Sequence, residues 1–124
     1  MKIKALPLLL LLSLTSCYEF ERNCTDFKTG TYKSEITINN DTYTSNFTRD
    51  NVFQVENYKG KIDSSKVRWI NDCEVVFTTI NPKSRIDKKD VHLKILTTTK
   101  DSYTFEYSYV GEVTKQKGTA VRVE

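Results

Sequence analysis

"SYTFEYSYV", residues 102–110, sets Tyr103, Phe105, Tyr107 and Tyr109 at every second position. A period of two belongs to a strand whose two faces meet different surroundings; no helix puts these four rings on one side. Lys100-Asp101 before the stretch and Gly111 after it supply turn chemistry. The same alternation recurs outward along the chain. "TYKSEITI" (31–38) sets Tyr32, Ile36 and Ile38 against Lys33, Glu35 and Thr37. "TYTSNFTR" (42–49) aligns Tyr43 with Phe47, and "VFQVENY" (52–58) aligns Phe53 with Val55. "KVRWI" (66–70) aligns Val67 with Trp69, and "CEVVFTTI" (73–80) aligns Cys73, Val75 and Phe77. "VHLKILT" (91–97) aligns Val91, Leu93 and Ile95, and "GTAVRV" (118–123) closes the chain.

Asn, Asp and Gly separate these runs, and Thr, Val, Ile, Tyr and Phe fill them; that is the signature of hairpins in an all-β domain. The spacing predicts about eight antiparallel strands in sequence order, an up-and-down meander. An open meander exposes two edges, so closure into a small barrel is expected. The aligned apolar residues, Phe53 and Val55 among them, are expected to face inward. An eight-stranded barrel is just wide enough for its side chains to fill, or to hold one small ligand. A filling and a lining use the same residues, so both readings stand. If the lumen binds, Tyr32, Phe47, Trp69, Phe105 and Tyr107 are the candidate ligand-binding residues. "NPKSRIDKKD" (81–90) reads as a solvated loop with room for one helical turn.

The first residues follow another rule. Lys2 and Lys4 precede an apolar run, Ala5 to Leu12, and Ser13, Thr15 and Ser16 follow it. That layout is an export signal. The run is roughly half the ~20 residues that a spanning helix requires. Leu14-Thr15-Ser16-Cys17 resembles the cleavage box of bacterial lipoproteins: an aliphatic residue, two small residues and a cysteine. The resemblance implies a signal peptide over 1–16, a diacylglycerol on Cys17 Sγ and an acylated amine, palmitate being a typical chain. Residues 17–29 would be a lipidated tether and 30–124 the β-barrel domain. Each buried CH₂ contributes about 0.8 kcal/mol, and two chains anchor stably where one does not. Tyr18, in place of the aspartate that retains such proteins at the inner membrane, implies the outer membrane of a Gram-negative bacterium.

Composition excludes several classes. The formal charge of +3 includes Lys2 and Lys4; without them 17 basic residues face 16 acidic ones, so the domain carries no excess that would draw it to nucleic acid. Of three cysteines, Cys17 would be lipidated, leaving Cys24 and Cys73. An even remainder in an oxidising compartment points to one disulfide, the alternative being two free thiols. His92 is the lone histidine, and alternation puts it opposite Val91 and Leu93 on the outer face, away from any nucleophile. Asp87, Asp90 and His92 are spaced like a metal cluster, but Lys88 and Lys89 lie among them and oppose a cation. No catalytic set, metal site or cofactor is expected.

Two further resemblances bear on fold and role. "TGTY" (29–32) is similar to the Gly-x-Trp start of lipocalin-like barrels, with Gly30 kept and Tyr32 where that family has tryptophan. The Cys17 tether, "GTY", Trp69-x-x-Asp72-Cys73 and "SYTFEYS" together resemble a family of small exported bacterial lipoproteins. Some of its members carry a DNA topoisomerase IV label. This chain has no nucleotide-binding loop, no paired carboxylates for magnesium and no basic track, so that label does not transfer. The resemblance implies a non-enzymatic envelope lipoprotein that binds a partner protein or a small apolar ligand, or else serves as an assembly component of an envelope complex.

Cys17→Ala is expected to move the protein from the membrane pellet to the soluble fraction. Carbonate washing of the envelope checks this, and a variant that still pellets refutes the lipid anchor.

Overall fold

The structure, a computed structural model, describes residues 22–123. The leading segment, Cys17 and Tyr18 lie outside the described residues. Eight strands follow one another: β1 (Gly30–Ile38), β2 (Asp41–Arg49), β3 (Phe53–Tyr58), β4 (Lys61–Asn71), β5 (Glu74–Thr79), β6 (Val91–Thr98), β7 (Ser102–Tyr109) and β8 (Gln116–Arg122). Each pairs antiparallel with the next, and β8 returns to β1, so the meander closes as a barrel. Closure satisfies both edges at once. Two hairpins turn on paired positive-φ residues, Asn39-Asn40 (φ 50° and 69°) and Lys59-Gly60 (φ 49° and 84°). Two-residue turns of that hand match the right-handed twist of the strands.

One end of the barrel is sealed by residues that precede β1. A 3₁₀ turn, Cys24–Phe27, buries Cys24 and Phe27 in the core. The chain from residue 24 onward therefore belongs to the packed domain, which corrects the expectation of a tether reaching to residue 29. Apolar burial decides this: Phe27 packs edge-on to Tyr103, with ring centroids 5.2 Å apart. A fully buried side chain of that size stabilises by about 1.5–3 kcal/mol. Polar contacts fix the turn to several strands. Arg22 Nη1 donates to Ile95 O on β6 at 3.3 Å, and Arg122 Nη2 on β8 donates to Asp26 O. Cys24 forms a disulfide with Cys73, in the turn between β4 and β5.

Gly30 makes the entry to β1 possible. Its φ is +130°, and a Cβ there would meet the Tyr32 hydroxyl at 3.1 Å. The Tyr32 ring folds back over that position and its hydroxyl donates to Thr29 O at 2.6 Å. The ring stacks on Phe47, centroids 5.1 Å apart, and lies under the Arg122 guanidinium. Gly118 on β8 serves a different need. A Cβ there would approach Phe105 Cζ and Glu35 O to 2.7 Å each, so the Phe105 ring lies flush against the barrel wall only because Gly118 has no side chain.

The inward row is as predicted on β1, β4, β5, β6 and β7, but β3 is reversed. Gln54, Glu56 and Tyr58 are half-buried, whereas Phe53 and Val55 are exposed on the outer wall. Register is the cause. Opposite residues of an antiparallel pair share a face. Phe47 and Arg49 of β2 point into the barrel, and they pair with Glu56 and Gln54. Tyr43 has the inward phase, but it stands at the mouth and is exposed. Elsewhere the outer wall carries Lys33, Glu35, Lys66, Arg68 and Lys117 in exposed positions. A barrel that crosses a membrane presents an apolar band at those heights. Among the described residues, no helix is long and apolar enough to cross a membrane.

The Cys24–Cys73 bridge spans 49 residues of sequence, and closing a loop of that length is expected to contribute about 4 kcal/mol through the unfolded state. The doubly substituted Cys24→Ala, Cys73→Ala chain should lose about that amount in urea unfolding, and unreduced protein should be two mass units lighter than reduced protein.

Candidate functional site

The lumen is divided along its axis into a packed half and an open half. Arg49 organises the packed half. It is 2% exposed and points inward from the end of β2. A buried guanidinium requires partners for its donors. Nη2 donates to Phe27 O at 2.6 Å and to the Tyr103 hydroxyl at 3.2 Å. Nε donates to Lys28 O at 3.2 Å and Nη1 to Gln54 Oε1 at 3.0 Å. Ring faces complete its surroundings: Phe47, Trp69, Tyr32, Tyr103 and Phe77 have centroids 5.3–6.0 Å from Cζ. Burial pushes the Tyr103 hydroxyl above its ordinary value, against the pull of the neighbouring guanidinium, so it stays protonated and accepts from Arg49.

Beyond this layer lies a cavity of about 280 Å³, reached from the opposite end of the barrel. Two kinds of wall enclose it. Ser34, Gln54, Glu56, Asp63 and Ser65, from β1, β3 and β4, make one side polar. Phe77, Val91, Leu93, Phe105 and Tyr107, from β5, β6 and β7, make the other side apolar. Asp87 reaches the mouth from a short 3₁₀ turn, Ile86–Lys88, in the loop between β5 and β6. A second hollow continues outward past Tyr43, Tyr58 and Tyr107 and shares Ile36, Glu56 and Tyr107 with the first. Tyr43 and Tyr58 stand with ring centroids 6.4 Å apart at its rim.

Glu56 sits where the two hollows meet. Burial pushes its carboxyl above the ordinary value of 4.5; a hydrogen bond from Ser45 opposes the shift and the Asp63 charge adds to it. Ser45 Oγ lies 3.1 Å from Ser34 Oγ, so a polar strip runs from β1 across β2 to β3 inside the barrel. Burial also raises the Tyr107 hydroxyl, with Tyr109 and Glu56 adding to the effect.

The five residues expected to bind a ligand therefore separate. Phe105 and Tyr107 line the cavity. Tyr32 and Phe47 are buried in the packed half, and Trp69 meets Arg49 and Lys28 there. Cys24 and Cys73 pair, while Cys17 lies outside the described residues. His92 is on the outer wall, with Nε2 3.0 Å from Glu74 Oε1. Among the described residues no group of three metal-ligating side chains comes together, Asp87, Asp90 and His92 included. Sequence reasoning missed Gln54, Glu56 and Arg49, because their polarity marks the outer face in a simple alternation. The available signal was the phase of Phe47, which carries Arg49 inward with it. No protein-family model, curated protein or solved structure matches this chain.

The raised Glu56 carboxyl has a consequence for stability. An acid whose folded pKa lies above its unfolded one favours the fold most below the unfolded value; that contribution is lost as pH rises through the folded value. At pH 7 the ionised Glu56 is a burden to the fold. Glu56→Gln should raise the thermal unfolding midpoint at pH 7, and the gain should fade towards about pH 4; scanning calorimetry across that range checks it.

Proposed function

We propose that this protein is a lipid-anchored protein of the bacterial cell envelope whose barrel carries a small, largely apolar molecule and does no chemistry on it. The observation that carries the reading is the division of the lumen. Tyr32, Phe47, Trp69, Tyr103, Arg49 and the 3₁₀ turn fill one end, while the cavity at the other is left open to the outside. A domain that needed only a core could fill both ends. Apolar pockets with a few placed polar groups are the usual form of small-molecule sites. A cavity of 150 Å³ suffices for benzene, so one of 280 Å³ has room for about a dozen heavy atoms.

The non-catalytic part rests on the arrangement of side chains. The cavity presents carboxylates, hydroxyls and rings, and His92, the chain's one histidine, lies on the outer wall. Attachment rests on the Leu14–Cys17 box described above. Binding of a partner protein in an envelope complex is the second reading, favoured by Phe53 and Val55, which β3 presents to the outside as an apolar strip.

Native mass spectrometry of gently extracted full-length protein separates the two. A bound small molecule that disappears in Val91→Trp, which narrows the mouth, is the expected result. An empty barrel that retains a stoichiometric protein would support assembly instead.

A further inference from the structure

We propose that the lumen selects small organic cations: an ammonium group joined to an apolar body. This rests on the carrier reading above and deepens it. The site is the cavity itself, and its two walls state what would satisfy both. Phe77, Leu93 and Phe105 offer an apolar surface with no hydrogen-bonding group. Across from them stand Ser34, Ser65, Gln54 and the carboxylate of Glu56. A purely apolar ligand would bury the carboxylate against hydrocarbon, which is costly. An anion would meet Glu56, Asp63 and Asp87 together, with no lysine or arginine among the residues lining the cavity. Arg49 lies in the packed half with its donors turned to Phe27, Lys28, Gln54 and Tyr103, and Lys61 stands at the rim, 3.9 Å from Asp63.

A cation satisfies both walls. Tyr43, Tyr58 and Tyr107 line the hollow that shares Glu56 with the main cavity; Lys59 Nζ, 5.5 Å from the Tyr58 centroid, takes one face of that ring, and Tyr43 and Tyr107 supply the others. Aromatic faces around an ammonium, with a carboxylate behind it, are the recognised means of holding alkylated cations. The apolar body then enters the main cavity between Phe77 and Phe105. Of the three residues shared by both hollows, Ile36, Glu56 and Tyr107, Glu56 is the carboxylate, so it is the one placed to contact the charge.

Three probes of similar size test this with the full chain: benzyltrimethylammonium, its uncharged isostere neopentylbenzene, and phenylmethanesulfonate, each titrated by NMR. The cation should bind more tightly than the sulfonate. Glu56→Gln should weaken the cation by about tenfold while leaving neopentylbenzene unchanged or tighter, since the charged probe loses its partner and the neutral one no longer buries a carboxylate. Val91→Trp should weaken both. Equal effects of Glu56→Gln on cation and neutral probe, or a sulfonate that binds as tightly as the cation, would overturn cation selection. If neopentylbenzene alone binds, and Val91→Trp removes it, cation selection falls while the carrier reading stands. Binding of none of the three to the native chain would remove both.

Discussion

Everything at the sealed end depends on one buried cation. Arg49 reaches inward from β2 and takes the carbonyls of Phe27 and Lys28, so the chain before β1 is held across the barrel's base. Without those donors the Phe27 carbonyl would be buried unpaired, at a cost of about 1–3 kcal/mol, and the part-buried Lys28 carbonyl would lose its partner. Without the carbonyls and the ring faces, the guanidinium would be a bare charge in a core. Each side makes the other tolerable. The disulfide adds a covalent tie from the same turn to the hairpin of β4 and β5. Tyr32, pinned over Gly30, supplies the floor on which Arg122 rests.

Sealing one end by a polar network changes what the other end must do. Tyr32, Phe47, Trp69 and Tyr103 are already spent on packing around Arg49, so the upper lumen is walled by β1, β3 and β4 on one side and by β5, β6 and β7, with Phe77 facing both layers, on the other. The first side is polar because its strands carry Ser, Gln and Glu in the inward phase. The second is apolar because its strands carry Phe, Val and Leu there. Gly118 contributes by letting the Phe105 ring lie against the wall instead of projecting across the cavity. An amphipathic lumen fits a molecule that is itself amphipathic.

Legibility differed among the elements for physical reasons. β7 was plain because four rings in alternation have one reading, and β1, β5 and β6 followed the same rule. β3 misled because a short strand with Phe53 and Val55 in one phase and Gln54 and Glu56 in the other has an apolar side that polarity alone assigns to the core. Its true face was set by the strand beside it, where Phe47 and Arg49 had already been committed inward. The boundary before β1 misled for a similar reason. Phe27 has no periodic neighbours to mark it as core, and its burial follows from the space that the barrel's end leaves open.

The strands, the turns between them, the expected closure of the meander and the expected bridge between Cys24 and Cys73 could be read from the residues one segment at a time. These follow from local periodicity, turn chemistry and counting. Assembly of the closed ring set which half of the lumen is full, which way β3 faces, and that Glu56 stands between two hollows. Those outcomes depend on register and on layers at fixed heights along the barrel axis. They belong to pairs of strands and to the whole ring, and no single segment encodes them.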